Sequence, residues 1–566
     1  MGTLFSSLDI GRAGLNTAQI QLDVTGHNIA SANKVGFSRQ RADIATRAPL
    51  ERTYGFLGRG PFIAGVERLR DQFLDISYRD QVATRENADT QTRFYSRIED
   101  LFREPTENGF SHQINLFFDA LNDFANQVED VPTRVATLNE GVALAGTLRD
   151  YAASLENLRT SANEDIRALV STINGVTEQI GALNFAIKTL EAAGGTANDL
   201  RDDRDVLLDE LAGYINIDYR ERADGQVDVL LGGEQLVNGN RSRALETVPD
   251  SGFDPNRPDF LRVRFADTGR AAIVTDGELA GSFTQRDVVL RGLVERNDVL
   301  AATLIENINA IHARGNGLSN IGIALDATNA VSDPALDLNA AGLPFTVRDG
   351  SFDIVLYDSA GAIVETVNVP VTAGATSLDD ISAAINASSN ATASITNGVL
   401  TVTPNAGFSF TFANDTSNAL PALGLNGFFT GDSGRNIQVS QHLLDNPGLL
   451  SSGASLNLLE TGDNTIALEL AGFRNQQVLS SGTETINDFF ESTVVGLGIN
   501  ARANLDRREV QIAVVNDLEL RRQEVSGVNL DEEVTTLIRV QKAFDASARV
   551  ITITDRMLDT LLNIVR

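Results

Sequence analysis

The stretch 530–566, LDEEVTTLIRVQKAFDASARVITITDRMLDTLLNIVR, decides how the ends of this chain fold. Apolar residues recur in it at every seventh position, namely at Leu537, Phe544, Ile551, Leu558 and Val565. Neighbouring apolar residues widen this stripe at Val550, Met557 and Ile564. A sustained heptad repeat predicts a coiled-coil helix with a partner. A helix of roughly 40 residues would be about 60 Å long, which is too long and narrow for a globular core, so it needs a facing helix.

The N-terminal end has the same character. Its apolar residues are three, four or seven positions apart, as on one face of a helix: Leu4, Leu8, Leu15, Ala18, Leu22 and Ile29. This pattern predicts one long helix from Thr3 to about Ala32, in which Gly11 and Gly14 let a partner backbone approach. Two arrangements fit: the first and last helices pair within one chain, as a hairpin around an inserted middle, or each pairs with a neighbouring molecule. Ordinary core packing explains both stripes as well.

Between the ends, helical periodicity with few breakers runs from about Ile98 to Ala192 and predicts a helical bundle. Alternation around Gly232-Gly233 and a short run from Phe260 to Phe265 predict a small β element near 215–285. A long helix is expected from Asp287 to Ala313. The polar stretch from Asn475 to Glu524 is expected to be largely helical and to lead into the terminal helix.

The segment from about 324 to 431 has a different composition, rich in Asn, Ser, Thr, Gly and Ala, with Arg348 as its only basic residue. Asn397-Gly398 predicts a type I′ hairpin turn, because both positions tolerate positive φ angles. Ser377 fits the N-cap of a short helix with Asp380 at its third position. These features predict a separate, acidic, β-rich domain.

The patterns together predict a multidomain, mainly α fold. Residues 1–60 and 520–566 would form a discontinuous terminal helical coiled coil. Residues 61–323 and 432–519 would form a helical rod domain with small β elements. Residues 324–431 would be an inserted β-rich α+β domain.

Composition excludes several classes of protein. The 566 residues carry 46 basic and 76 acidic side chains, a net charge of -30, which repels phosphate backbones and anionic lipid surfaces. Nucleic acid is therefore not an expected partner. The first twenty residues have no apolar run long enough for a secretory signal or a membrane span, so we expect no membrane insertion and either a cytosolic protein or export by another route. The absence of cysteine excludes disulfides, thiolate nucleophiles and sulfur-ligated metals.

Candidate chemical sites are few. No two histidines are three or four residues apart, which is the spacing of a metal site on a helix. They lie at His27, His112, His312 and His442. Gly431-Asp432-Ser433-Gly434 matches the tetrapeptide around the nucleophile of trypsin-like serine proteases. The cysteine-flanked histidine motif of those enzymes is missing, which favours a turn. No glycine-rich nucleotide loop follows a strand pattern.

A run of carboxylates, at Asp199, Asp202, Asp203 and Asp205, could form a metal cluster or a catalytic pair. Arg201 and Arg204 are interleaved with it, which favours a salt-bridged helix start. The sequence therefore predicts no catalytic residue, no cofactor and no metal, and the chain is expected not to be an enzyme. A long acidic chain with coiled-coil-like helices at its two ends is typical of an assembly protein.

Near the start, the chain reads Asn28-Ile29-Ala30-Ser31-Ala32-Asn33 and then Gly36-Phe37-Ser38-Arg39-Gln40. Near the end it reads Gly527-Val528-Asn529-Leu530-Asp531-Glu532-Glu533, then Gln541-Lys542-Ala543-Phe544 and Asp555-Arg556-Met557-Leu558. Both ends resemble the signatures of the flagellar rod, hook and hook-associated axial protein family, although Lys34 stands where that family usually has Thr. The residues of this chain that match the family motifs are Asn28, Asn33, Gly36, Phe37, Asn529 and Leu530.

Segments of the middle are similar to hook-associated members of this family: 198–205 (NDLRDDRD), 277–281 (GELAG) and 307–312 (NINAIH). The resemblance covers about residues 1–315 and 500–566, and it leaves out the insert at 324–431. It implies a structural subunit of the bacterial flagellum at the junction between hook and filament, required for filament assembly. The location would be extracellular, after a transient cytoplasmic stage and export by the flagellar type III apparatus.

The resemblance also implies partners: copies of the chain in a ring, the hook protein, a second hook-filament junction protein and a cytosolic export chaperone on the C-terminal helix. The paired terminal helices would line an inner tube. Packing within or between subunits would rest on Leu8, Leu15, Leu22, Leu537, Phe544, Ile551 and Leu558. The alternative inside the family is a hook or distal rod protein. An alternative of another class is an extracellular adhesin or hydrolase that acts through the insert.

Overall fold

The computed structural model of the chain describes residues 2–52, 55–102, 109–250, 252, 254–457 and 460–564. These residues are mainly helical, as predicted. The α-helices in chain order are α1 (Gly2–Ser31), α2 (Gln72–Phe102), α3 (Phe110–Asn126), α4 (Val131–Glu191), α5 (Asn198–Tyr214), α6 (Glu278–Thr284), α7 (Leu290–His312), α8 (Leu378–Asn386), α9 (Ala419–Leu423), α10 (Gln441–Asp445), α11 (Thr465–Gly472), α12 (Ile486–Ser526) and α13 (Leu530–Ile564). A π-helical turn, Gln285–Val289, joins α6 to α7. Val565, the last residue of the predicted stripe, lies outside the described residues.

The strands form small antiparallel sheets. They are β1 (Gln40–Thr46), β2 (Leu50–Arg52), β3 (Gly55–Leu57), β4 (Pro61–Arg68), β5 (Asp218–Glu221), β6 (Val227–Leu231), β7 (Glu234–Asn238), β8 (Arg241–Ser242), β9 (Leu245–Pro249), β10 (Leu261–Phe265), β11 (Leu325–Asp326), β12 (Gly350–Tyr357), β13 (Ile363–Val371), β14 (Ala391–Thr396), β15 (Val399–Pro404), β16 (Ser409–Ala413), β17 (Phe429–Thr430) and β18 (Gln438–Val439). The larger sheets have the orders β5-β6-β7-β8, β13-β12-β16 and β11-β15-β14. Two-stranded pairs are β1-β4, β2-β3, β9-β10 and β17-β18.

The chain packs as two compact units. Unit 1 comprises residues 1–93, 161–285 and 503–566, and unit 2 comprises residues 94–160 and 286–502. Each unit therefore gathers segments that are far apart in sequence. The division into three domains with the boundaries given above stays a prediction.

In unit 1 the core lies between helices and the β5–β8 sheet. Ile166, Ile173 and Ile180 recur at seven-residue spacing on α4 and are fully buried in one cluster with the apolar faces of α5 and β6. The helical period thus presents one stripe to the sheet. Gly232 and Gly233 have φ angles of 55° and 83° and form the tight turn between β6 and β7, which confirms the predicted β element.

The two terminal helices of unit 1 pack side by side and antiparallel. A Cβ atom placed on Gly11 would lie 3.0 Å from Cγ1 of Ile551, and one on Gly14 would lie 2.7 Å from Oγ of Ser547. The two glycines therefore let α1 and α13 approach closely, which is the hairpin arrangement of the two considered above. In the same unit the strands β1, β2, β3 and β4 follow α1, whereas the sequence predicted only helical structure up to residue 60. β1 has the sequence QRADIAT, which lacks the regular alternation of apolar and polar residues that marks a strand.

In unit 2 the core is rich in phenylalanine. Phe117 of α3 lies at ring-centroid distances of 5.6 Å from Phe428 and 5.9 Å from Phe429. The insert contributes the sheets around β12 and β15. Its predicted hairpin is confirmed, since Asn397 and Gly398 have positive φ angles between β14 and β15. The predicted cap is confirmed too, because Ser377 and Asp380 form a capping box at the start of α8.

Candidate assembly site at the chain termini

Asn28 joins three elements of unit 1. Its side chain is only 1% exposed, near the end of α1. Its Nδ2 donates to the Gln40 carbonyl oxygen at 2.9 Å and to Oε2 of Glu533 at 3.1 Å, while its Oδ1 accepts from the Gln40 N–H at 2.9 Å. A buried amide with both ends satisfied specifies one geometry, because any displacement leaves a buried polar group unpaired. Asn28 thereby connects α1, β1 and α13.

Glu533 is the acidic counterpart in α13 and is 2% exposed. It accepts a hydrogen bond from Nε of Arg39 at 2.7 Å, and Nη1 of Arg39 donates to Oε2 of the exposed Glu532 at 2.9 Å. The turn before α13 is closed by Asn529, whose Oδ1 accepts from the Asp531 N–H at 3.0 Å. The N-terminal and C-terminal motifs are therefore bound to each other through charge-assisted hydrogen bonds.

The segment 198–205 supplies the third part of the site. The Ser38 N–H and Oγ donate to the two carboxylate oxygens of Asp202 at 2.9 and 2.7 Å. Nζ of Lys34 lies 2.8 Å from Oδ1 of Asp203 in an exposed pair. The start of α5 thus holds the turn that follows α1, and all three sequence motifs meet in one place.

The turn itself depends on Gly36, which has φ +77°. A Cβ atom there would lie 2.1 Å from Cγ2 of Val206, so both the backbone angle and the space require glycine. Phe37 is half-buried and contacts the ring of His27 edge-on, with centroids 5.3 Å apart. Asn33 is exposed.

Arginines from other elements surround the acidic face of α5. The contacts are Arg68 with Asp202 and Asp205 (both 2.8 Å), Arg70 with Asp75 (2.7 Å) and Asp205 (3.1 Å), Arg79 with Asp205 (3.3 Å) and Asp209 (2.6 Å), and Arg522 with Asp75 (3.0 Å) and Asp209 (2.9 Å). We call this set the arginine-aspartate network. It joins β4, α2, α5 and α12.

The sequence correctly predicted salt bridging at this helix start, but the predicted partners were wrong. Arg201 pairs with Glu191 and Glu221, and Arg204 donates to Oδ1 of Asn184 instead of to the neighbouring aspartates. For Arg204 the reason is the helical period, since no carboxylate lies three or four residues away from it on α5. Asp205 lies four residues after Arg201 but is paired with Arg68, Arg70 and Arg79. The aspartates therefore face arginines that lie far away in sequence.

Charge compensation differs between the aspartates of the network. Burial alone would raise the pKa of the Asp205 carboxyl, but Arg70 and Arg79 outweigh it and hold that pKa below its ordinary value. Burial dominates at Asp202 and raises its pKa, against the opposing hydrogen bonds from Ser38 and Arg68. Among the described residues no group of histidine and carboxylate side chains has the arrangement of a metal site. The ion pairs of the network fit a structural role.

The residues predicted to carry helix packing are all half-buried in the single chain: Leu8, Leu15, Leu22, Leu537, Phe544, Ile551 and Leu558. Leu530, at the start of α13, is exposed, as are Val550 and Met557, which widen the stripe. Arg39 and Glu533 lie inside the two terminal motifs, but the sequence predicts no separate role for either residue. Their opposite charges inside two matched motifs were the available signal.

The protease-like tetrapeptide forms a turn in unit 2. Oδ1 of Asn436 accepts from the Asp432 N–H at 2.9 Å, and from the Ser433 N–H at 3.0 Å and Oγ at 3.1 Å. The serine hydroxyl therefore bonds to an amide and not to a histidine. Within the part of the chain that the structure describes, no helix combines the length and apolarity needed to cross a membrane.

Two protein families match the chain. Residues 95–325 match the family described as flagellar hook-associated protein FlgK helical domain, and residues 521–564 match the flagellar basal body rod FlgEFG protein C-terminal family. The second match covers α13 and the turn before it, where Asn529 and Glu533 lie.

Similar proteins extend the match to the whole chain. It is 26% identical over 578 residues to flagellar hook-associated protein 1 of Bacillus subtilis, covering 100% of this chain and 99% of that protein. It is also 26% identical to flagellar hook-associated protein 1 of Escherichia coli, covering 99% of this chain and 100% of that protein. The solved structure of the flagellar hook junction protein FlgK from Burkholderia pseudomallei has a similar fold, with TM-score 0.51 and 16% identity over 80% of this chain and 100% of that one. Over its whole length the chain is thus similar to flagellar hook-associated protein 1.

Proposed function

We propose that this chain is a structural, non-catalytic subunit of the bacterial flagellum that joins the hook to the filament. The observation that supports this most directly is the clamp at the termini, in which Asn28 of α1 bonds to Glu533 of α13. It closes the chain into a hairpin whose paired ends can form a layer of their own. Such a layer suits an inner tube, with the middle of the chain outside it.

Assembly would use the surfaces that the single hairpin leaves open. The predicted packing residues are only half-buried, and further apolar side chains on α13 are exposed, at Val534, Ile538, Ile553 and Met557. Burial of apolar area drives association, at roughly 25 cal/mol per Å². Copies of the chain would pack side to side in a ring, as a heterologous contact repeated around the axis. The hook protein and a second junction protein would lie on either side of that ring.

Deleting the gene in its host is expected to give cells with finished hooks, no filaments and flagellin in the medium. Electron microscopy of the cell surface and an assay of the medium for flagellin measure this. A chain with Glu533→Ala should fail to restore filaments, because Arg39 and Asn28 lose a buried partner. The matched control Glu532→Ala, which removes an exposed pair, should restore them.

Cells with rods but no hooks would move the chain to the hook or rod. Normal filaments in the deletion strain would overturn the flagellar proposal and direct attention to the insert at 324–431. Restoration by Glu533→Ala, with wild-type efficiency, would show that the clamp is dispensable for assembly.

Before export by the type III apparatus, the exposed apolar face of α13 is an aggregation hazard in the cytoplasm. We propose that the flagellar export chaperone of the host covers it. The double substitution Ile553→Asp with Met557→Asp is expected to weaken binding of that chaperone at least tenfold, measured by calorimetry. Thr552→Asp with Thr560→Asp adds the same charge at exposed polar positions of the same helix and should leave binding unchanged. Undiminished affinity in a chain lacking residues 527–566 would place the chaperone site elsewhere.

A further inference from the structure

Arg204 of α5 is a buried cation without an anionic partner. Its side chain is 1% exposed, and its Nη1 donates to Oδ1 of Asn184 at 2.9 Å and to the Gly225 carbonyl oxygen at 2.7 Å. Both acceptors are neutral, and no carboxylate among the described residues forms an ion pair with Arg204. Buried arginines are almost always paired, since an uncompensated buried charge is costly. Arg204 is therefore an exception inside a protein of net charge -30.

One edge of the Arg204 guanidinium remains unused. Its Nε is buried and has no hydrogen-bond partner among the described residues, and neither has Nη2. Nε and Nη2 donate in parallel from the same side of the planar group. This edge is the one that binds the two oxygens of a phosphate, sulfate or carboxylate in a bidentate manner.

Arg204 lines a cavity of about 290 Å³ in unit 1, together with three more arginines, Arg68, Arg70 and Arg201. Four carboxylates line the cavity as well, of which Glu67 is exposed. The buried ones are already bound, since Asp205 pairs with Arg68 and Arg70, and Asp75 with Arg70. Glu221 is likewise paired with Arg201. Arg68 uses only its Nη1 in the network, so its other donors are also available.

We propose that this cavity binds a small inorganic oxyanion of the phosphate or sulfate type, held by the Nε–Nη2 edge of Arg204. The anion would supply the missing counter-charge and would link α5 to the Arg68 side of the cavity. The direction of the pKa of Arg204 agrees with this geometry. Burial lowers the pKa of Arg204 to about 10, because its effect is larger than the opposing effect of Asp205 and Glu221. The protein alone therefore does not fully compensate the charge of Arg204.

The test uses the full chain and inorganic phosphate. The thermal unfolding midpoint of unit 1 is expected to rise with phosphate, by about 3 °C at ten times the dissociation constant, relative to sodium chloride at equal ionic strength. Hydrogen exchange of peptides spanning 198–231 identifies the transition that belongs to this unit. Arg204→Gln should abolish the phosphate-dependent increment, and Arg204→Lys should reduce it at least threefold, because lysine lacks the planar edge.

The matched control is Arg167→Gln, which removes an exposed arginine of α4 outside the cavity and should keep the full increment. If Arg204→Gln does not fold, Arg204→Lys decides the matter, since it keeps the charge and a donor for Asn184. The absence of any phosphate-specific increment in the wild type would overturn the proposal. An undiminished increment in the Arg204 variants would do the same, by assigning the effect to an adventitious ion only.

Discussion

Asp205→Asn is expected to lower the free energy of unfolding of unit 1 by about 3–5 kcal/mol, which is the cost of removing one partner of a buried ion pair. Asp205 is shared by Arg68, Arg70 and Arg79, so the substitution leaves several buried guanidinium groups without their common counter-charge. Asparagine has the same shape as aspartate and leaves no cavity. The change in the free energy of unfolding therefore measures the loss of the charge. Urea titration followed by circular dichroism, with hydrogen exchange to isolate unit 1, measures it.

The control for this substitution is Asp203→Asn, on the same helix, which removes an exposed pair with Lys34 and should cost less than about 1 kcal/mol. The pH dependence follows from the lowered pKa of Asp205. Its stabilisation is fully present above the unfolded carboxyl pKa of about 4 and is lost as pH falls further. Asp205→Asn should remove that part of the acid sensitivity. A loss below 1 kcal/mol at pH 7 would contradict the assigned role of the network.

Unit 2 is expected to lose about 3 kcal/mol of stability as the pH falls from 6.5 to 4, because His312 must stay neutral in the fold. Nδ1 of His312 lies 2.8 Å from the Asn426 carbonyl oxygen, so it donates, and Nε2 accepts from the Ser451 N–H at 3.0 Å. Protonation of Nε2 would place its N–H opposite the Ser451 N–H, so that two donors face each other without an acceptor. Burial, with a smaller contribution from Arg134, lowers the pKa of His312 to about 4.

The sign follows from that lowered pKa. The unfolded chain takes up a proton near pH 6.5, whereas the folded one does so only near pH 4, so stability is lost through this window as the pH decreases. His312→Gln should flatten the dependence, while His112→Gln, at an exposed histidine of α3 in the same unit, should leave it unchanged. Chemical denaturation at closely spaced pH values tests both. An equal slope in wild type and His312→Gln would show that other groups cause the acid sensitivity.

Local patterns were the most reliable part of the prediction. The heptads in 530–566 correspond to α13, and Asn397-Gly398 and Ser377 correspond to the turn and cap that their chemistry requires. The strands β1 and β4 were missed, since their side chains alternate too little in hydrophobicity. The acidic run 199–205 was expected to form salt bridges and does so, but its arginine partners come from β4, α2 and α12.

The sequence by itself determined the mainly helical class, the long terminal helices and the β-rich character of the insert, because helical and strand periods are carried by neighbouring residues. Only the tertiary structure decided which buried groups meet. Asn28 and Glu533 are 505 residues apart in the chain, and nothing in either local segment specifies the other as its partner. Arg204 illustrates the same limit, since its lack of a counter-ion becomes visible only when every surrounding element is in place. A buried charge is stabilised by geometry in three dimensions, and that geometry is a property of the whole fold.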